Sequence, residues 1–139
     1  MKKKPLISVI ITYYKKISFI KSTLQSIFNQ TYKNYEIIFV YDKKEKKDLA
    51  YIKKILSKFK KKKIIINNKN LGVAKSRNIA IKNAKGNYLA FIDADDIWKK
   101  NKLFTQLKFM KKNSCHFSFT SYAEIDESNK ITKERKVLF

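Results

Sequence analysis

The sequence predicts an α/β fold built on a mostly parallel sheet with helices on both faces. Short β-branched or aromatic runs alternate with longer segments whose apolar residues recur at helical spacing. No internal repeat, low-complexity tract or linker interrupts the alternation. Strands separated by helix-length segments are expected to lie parallel, joined by crossovers. A chain of 139 residues is one domain's worth, so residues 1–139 are read as a single domain.

Each element has its own signal. Residues 6–12 (LISVIIT) form a buried strand. Residues 18–30 place Ile20, Leu24, Ile27 and Phe28 on one helical face, with Ser18 as N-cap. Residues 35–41 (YEIIFVY) are a second strand, and residues 48–59 a helix with Leu49, Ile52, Leu56 and Phe59 in one stripe. Residues 63–67 (KIIIN) are a third strand. Residues 71–85 are a helix with Val73, Ala74, Ile81 and Ala84 inward and Gly86 as its C-terminal stop. Residues 87–92 (NYLAFI) give a fourth strand, residues 101–112 a helix carrying Leu103, Leu107 and Met110, and residues 116–122 (HFSFTSY) an alternating fifth strand. The polar tail 123–139 is read as a hairpin turning at Ser128 and Asn129.

Net charge is +22, which ordinarily suggests nucleic acid or an anionic membrane. Of the 33 basic residues, however, only Arg77 and Arg135 are arginine. Scarce Gly and Pro beside abundant Lys, Ile and Asn is the bias an AT-rich genome imposes. Groove and phosphate readers rely on the planar arginine fork. The lysines are also scattered along the chain, so no specific nucleic-acid partner is expected. Peripheral contact with an anionic membrane surface remains in keeping with the charge. The lone Cys115 excludes an internal disulfide, and nothing around it or His116 suggests a nucleophile. Lys2–Lys4 ahead of a short apolar run lacks a signal peptide's length and cleavage site, so the chain reads as cytoplasmic, at most peripheral at the inner membrane face.

In parallel sheets ligands bind beyond the carboxyl ends of the strands. Only 11 residues are acidic, yet Asp93, Asp95 and Asp96 crowd together after the fourth strand. Carboxylates so close repel one another unless a cation lies between them. Mn²⁺ or Mg²⁺ is the natural counter-charge, leaving positions open for phosphate oxygens, with Asp93 and Asp95 as ligands. The alternative is a helix N-cap with first-turn acids, a role that suits Asp96. Thr12 and Tyr14 end the first strand and Asp42 the second. Each alone could be a turn or half-buried residue, but together at adjacent strand ends they suit a base. Gly72 opens a helix whose free N–H groups favour anions. Arg77 is either an anion partner within that helix or an ordinary exposed charge.

These segments resemble the N-terminal, nucleotide-sugar-binding half of glycosyltransferase family 2 enzymes, which have the GT-A fold. The resemblance lies in SVIITYYKK at 8–16, SIFNQTYKNYEIIFVYD at 26–42, NLGVAKSRNIAI at 70–81 and GNYLAFIDADDIWKKNKL at 86–103. It implies a Rossmann-like sheet, base contacts from Thr12, Tyr14 and Asp42, Asp93 by the ribose and diphosphate, and Asp95 on the metal. It also implies metal-dependent, inverting transfer from a nucleoside-diphosphate sugar, UDP-linked by preference, to a glycan or lipid-linked acceptor. The chain departs from the family pattern at Lys15, where Asn is usual, and at Tyr41-Asp42, where two Asp are common. Family members continue into an acceptor-binding half that supplies the general base. After Asp96 this chain offers Glu124, Asp126, Glu127 and Glu134, none in the family's context, so the acceptor half is expected to be missing and the base is unassigned. The rival reading is a non-catalytic module that binds a nucleotide sugar or another anion.

Overall fold

The computed structural model describes residues 4–128 and 130–136. The chain divides into two units, Met1–Phe104 and Thr105–Phe139. In the first, β1 (Ile7–Tyr13), α1 (Ile17–Phe28), β2 (Tyr35–Tyr41), α2 (Leu49–Leu56), β3 (Lys62–Ile66), α3 (Val73–Asn83) and β4 (Tyr88–Asp93) follow in turn. The four strands pair in parallel in the order β3-β2-β1-β4. Chain order runs outward from β1 on one side, and β4 lies on its other side. The carboxyl ends of β1 and β4 therefore flank the point where the order reverses, the place such sheets use for ligands.

Alternation along the strands assigns the two faces. Tyr13 stacks on Tyr41 and Phe39, with ring centroids 5.3 and 6.0 Å apart. Tyr35 on that same face meets Phe59, which also packs edge-on against Phe28 of α1. The opposite face buries Ile10, Ile38 and Val40 against Ala80 of α3, with Ile65 and Ala84 alongside. Helices thus cover both faces, as expected. Burying these branched and aromatic side chains supplies the main stabilisation, at about 25 cal/mol per Å² of apolar surface.

Several local expectations need correction. Ser18 is not the cap of α1: Lys16 holds that position, its carbonyl accepting from the amides of Phe19 and Ile20. The buried face of α3 is Ser76 and Ala80, whereas Val73 and Ile81 are exposed. A helix seated over Ile10, Ile38 and Val40 admits small side chains on its inner face, and an apolar stripe cannot reveal that. Gly86 does not end α3 in a left-handed turn; Ala84 closes the helix in an extended conformation. Glycine is needed at 86 because a Cβ there would stand 2.6 Å from the backbone nitrogen and Oγ of Ser8. The Gly86 amide donates to Ser8 Oγ, which donates to Glu36, and Glu36 also accepts from the Lys85 amide. This clamp ties β1, β2 and the start of β4 at the sheet's amino end.

The helix α4 (Lys102–Lys112) begins in the first unit and ends in the second. The expected strand over residues 116–122 is absent; Phe117 and Phe119 are exposed and touch each other. Alternation makes a strand only where a ladder takes up its backbone groups. The hairpin does form, as β5 (Tyr122–Ile125) antiparallel to β6 (Ile131–Arg135). Asp126 nucleates its turn, its Oδ1 accepting from the amides of Ser128 and Lys130. Asn129, assigned to that turn, lies outside the described residues.

Candidate functional site

Register brings the predicted residues together at the switch point. Thr12 of β1 lies level with Asp93 of β4 and Val40 of β2. β4 extends to include Asp93, and Asp96 closes a turn back onto it through its amide. α4 starts only at Lys102, so Asp96 is not the helix N-cap that composition allowed. Burial, and then the charges of Asp93 and Asp95, raise the Asp96 carboxyl above the usual range.

Both carboxylates of the metal expectation hold a cation. Arg77 Nη2 lies 2.5 Å from Asp93 Oδ1, with its guanidinium over the ring of Phe91. Lys16 Nζ lies 2.7 Å from Asp95 Oδ2, and this bond raises the lysine's pKa. Asp93 and Asp95 are accessible hard oxygen donors, and the two cations on them stand where positive charge is wanted. Among the described residues no three His, Cys, Asp or Glu gather to hold a metal. What these two residues offer is the hard oxygen type that Mg²⁺ and Mn²⁺ take, ions commonly held by one or two carboxylates with phosphate and water completing the shell.

Beyond β1 the exposed Tyr14 is followed by Lys15 in a left-handed conformation, φ 51°. Lys15, then Asn70, lowers the pKa of the Tyr14 hydroxyl. Tyr14, Lys15, Lys43, Lys44, Lys69 and Asn70 help line an open cavity of ≈ 470 Å³. Asp42 is buried beside it and already engaged. Its Oδ1 accepts from Asn67 Nδ2 and the Leu71 amide, and its Oδ2 from the Gly72 amide. At Gly72, then, the anion held at the start of α3 is the chain's own Asp42 rather than an incoming phosphate. Asp42 fixes the loop that delivers Asn70 to the cavity and leads into α3, which carries Arg77.

Sequence reasoning missed Lys16. Its only signal was position, two residues past Tyr14, and the surrounding excess of lysine concealed it. It also missed the buried cluster in which Asp48 accepts from Tyr13 Oη at 2.8 Å and Lys43 Nζ at 3.1 Å.

Residues 8–137 match the family described as Glycosyl transferase family 2. The chain belongs to that family. Its GT-A-like sheet is also that of solved relatives. Staphylococcus aureus TarS in complex with UDP superposes with a TM-score of 0.70 at 27% identity, over 78% of this chain and 32% of that one. The mannosyltransferase PcManGT of Pyrobaculum calidifontis, in complex with GDP-Man and Mn²⁺, gives 0.72 at 20% identity, over 78% and 33%. Among curated relatives, Escherichia coli WfaP, a UDP-Glc:α-D-GlcNAc-diphosphoundecaprenol β-1,3-glucosyltransferase, is 40% identical over 119 residues, 84% of this chain and 46% of WfaP. Three uncharacterized glycosyltransferases of Rickettsia species, 41 to 43% identical, are covered over only 18 to 20% of their length. The chain thus spans less than half of these relatives. Among the described residues, no helix of this family 2 chain is long and apolar enough to cross a membrane.

Proposed function

We propose that this family 2 chain is the donor-binding part of a metal-dependent, inverting glycosyltransferase that uses a UDP-sugar and a glycan or lipid-linked acceptor. The observation that carries the reading is the level placement of Thr12 and Asp93 at the switch point, with Asp95 two residues on in the turn that follows. Thr12 and Tyr14 hold the base, and Asp42 shapes its pocket by fixing Leu71 and Gly72. Asp93 orients the ribose and diphosphate, with Arg77 free to move from Asp93 onto phosphate. Asp95, with Asp93, holds Mn²⁺ or Mg²⁺, which when bound neutralises the departing diphosphate. The UDP of TarS, the Mn²⁺ of PcManGT and the diphosphoundecaprenol-linked acceptor of WfaP support this assignment. A lysine-rich surface suits work beside an anionic membrane holding such an acceptor.

Inversion needs a base to take the acceptor's proton. Of the acids after Asp96, Glu124 pairs with Arg135, Asp126 is spent on the hairpin turn, and Glu127 and Glu134 are exposed on that same hairpin. The isolated chain should therefore bind the donor and transfer little. Calorimetric titration of UDP should show binding in Mn²⁺ and none in EDTA, with Asp95→Ala in Mn²⁺ behaving as EDTA does. Equal affinity with and without the metal overturns the assignment. Multiple-turnover transfer by this chain, followed by mass spectrometry, would mean that a base lies within it.

A further inference from the structure

We propose that Lys16 stands in for the divalent cation at Asp95 and competes with it until nucleotide draws the ammonium away, so that metal and nucleotide load together. The proposal rests on the metal assignment of Asp95 above and concerns what Lys16 adds to it. The Lys16–Asp95 pair is a single 2.7 Å contact between side chains that are 44% and 36% exposed. Such a pair is weak and exchangeable. Lys16 is nonetheless well anchored, because its carbonyl opens α1 by accepting from the Phe19 and Ile20 amides. The ammonium therefore swings on a fixed root and stays within reach of Asp95.

A divalent cation bound to the Asp95 carboxylate repels an ammonium held on that same carboxylate, so each weakens the other's bond. Lysine suits a removable placeholder better than arginine does. Its ammonium is a compact, strongly hydrated point charge on a flexible stem, without the planar fork by which Arg77 can grip Asp93. Until donor arrives, Lys16 offsets repulsion among Asp93, Asp95 and Asp96. Once displaced, its ammonium is tethered beside the position assigned to the diphosphate and gains a phosphate partner there. Without nucleotide, then, Lys16 competes with the metal; with nucleotide, the competition is relieved.

Mn²⁺ binding to the full chain, read by the loss of the free Mn²⁺ EPR signal, tests this without any turnover. In the absence of nucleotide, Lys16→Met should bind Mn²⁺ about three- to fivefold more tightly than the parent, the scale of an exposed ion pair. Lys15→Met removes the neighbouring charge without touching Asp95 and should change the affinity less than about twofold. With UDP present, the advantage of Lys16→Met should disappear or reverse. An unchanged or weaker Lys16→Met, or an equal gain in Lys15→Met, overturns the role of Lys16 and leaves the metal assignment standing. If Asp95→Ala binds Mn²⁺ as the parent does, or if no variant binds it even with UDP, the metal assignment falls and the proposal with it.

Discussion

Asp48 and Asp95 each hold a lysine ammonium, Lys43 at 3.1 Å in the first case and Lys16 at 2.7 Å in the second. The side chains of the first pair are 6% and 10% exposed, those of the second 44% and 36%. Asp48 also accepts from the buried Tyr13 hydroxyl, so three polar groups depend on one another where water cannot replace any of them. At Asp95 water, a metal or a phosphate can take over either half of the pair. The same chemistry thus gives a fixed joint between β1, the loop after β2 and α2 in one place, and an exchangeable contact at the ligand end of β4 in the other.

The sharpest way to break that comparison is to remove each carboxylate in turn. Asp48→Ala should cost about 2–3 kcal/mol in urea unfolding, because it strands a buried hydroxyl and a buried ammonium. The urea dependence itself should be unchanged. A loss no larger than that of Asp95→Ala would show that burial does not distinguish the two sites. An acid titration sharpens the contrast further. Burial alone would raise the Asp48 carboxyl, but bonds from Tyr13 and Lys43 outweigh it and hold the pKa below the usual range. Its stabilisation is therefore complete above the unfolded value near about 4 and is lost as pH falls through the lower native value. The stability gap between the parent and Asp48→Asn should narrow on that descent, and a gap independent of pH would contradict the assignment. The smallest effects belong to the exposed pairs. Asp93→Ala and Asp95→Ala should each lie within about 0.5 kcal/mol of the parent in thermal or urea melts. The same two variants should lose metal-dependent UDP binding, and a stable protein without that binding is the signature of an exchangeable site.

In the first three strands and in α2, hydrophobic pattern was a good guide, whereas the alternating run 116–122 found no ladder and formed no strand. The second strand falls on Tyr35–Tyr41 as read, and Leu49, Ile52, Leu56 and Phe59 are all buried as their spacing demands. The sequence misled where small residues or backbone proximity decide, as on the Ser76–Ala80 face of α3 and at Gly86. The acids of the candidate site stood out because acid is rare in this chain. Their partners did not, since Lys16 and Lys43 look like any other lysine until the fold selects them. Asp42 was legible as a strand-end carboxylate, but its bonds to Leu71 and Gly72 arise from a loop that sequence spacing does not place.

The clamp at the amino end of the sheet also bears on the order in which the molecule assembles. The Ser8–Glu36 contact closes 28 residues, whereas Gly86 reaches Ser8 across 78. Longer closures cost more chain entropy and form later, so β1 and β2 should dock first and β4 should join a sheet already begun. Pulse-labelled hydrogen exchange during refolding would then protect the β2 amides before those of β4. The fit between Gly86 and Ser8 sets the level at which β4 comes to rest. A slip of one residue would turn Asp93 to the opposite face, away from Arg77. The carboxylates proposed for the donor site thus take their places after β1 and β2 have paired, at a height fixed by a glycine just before the far end of their strand.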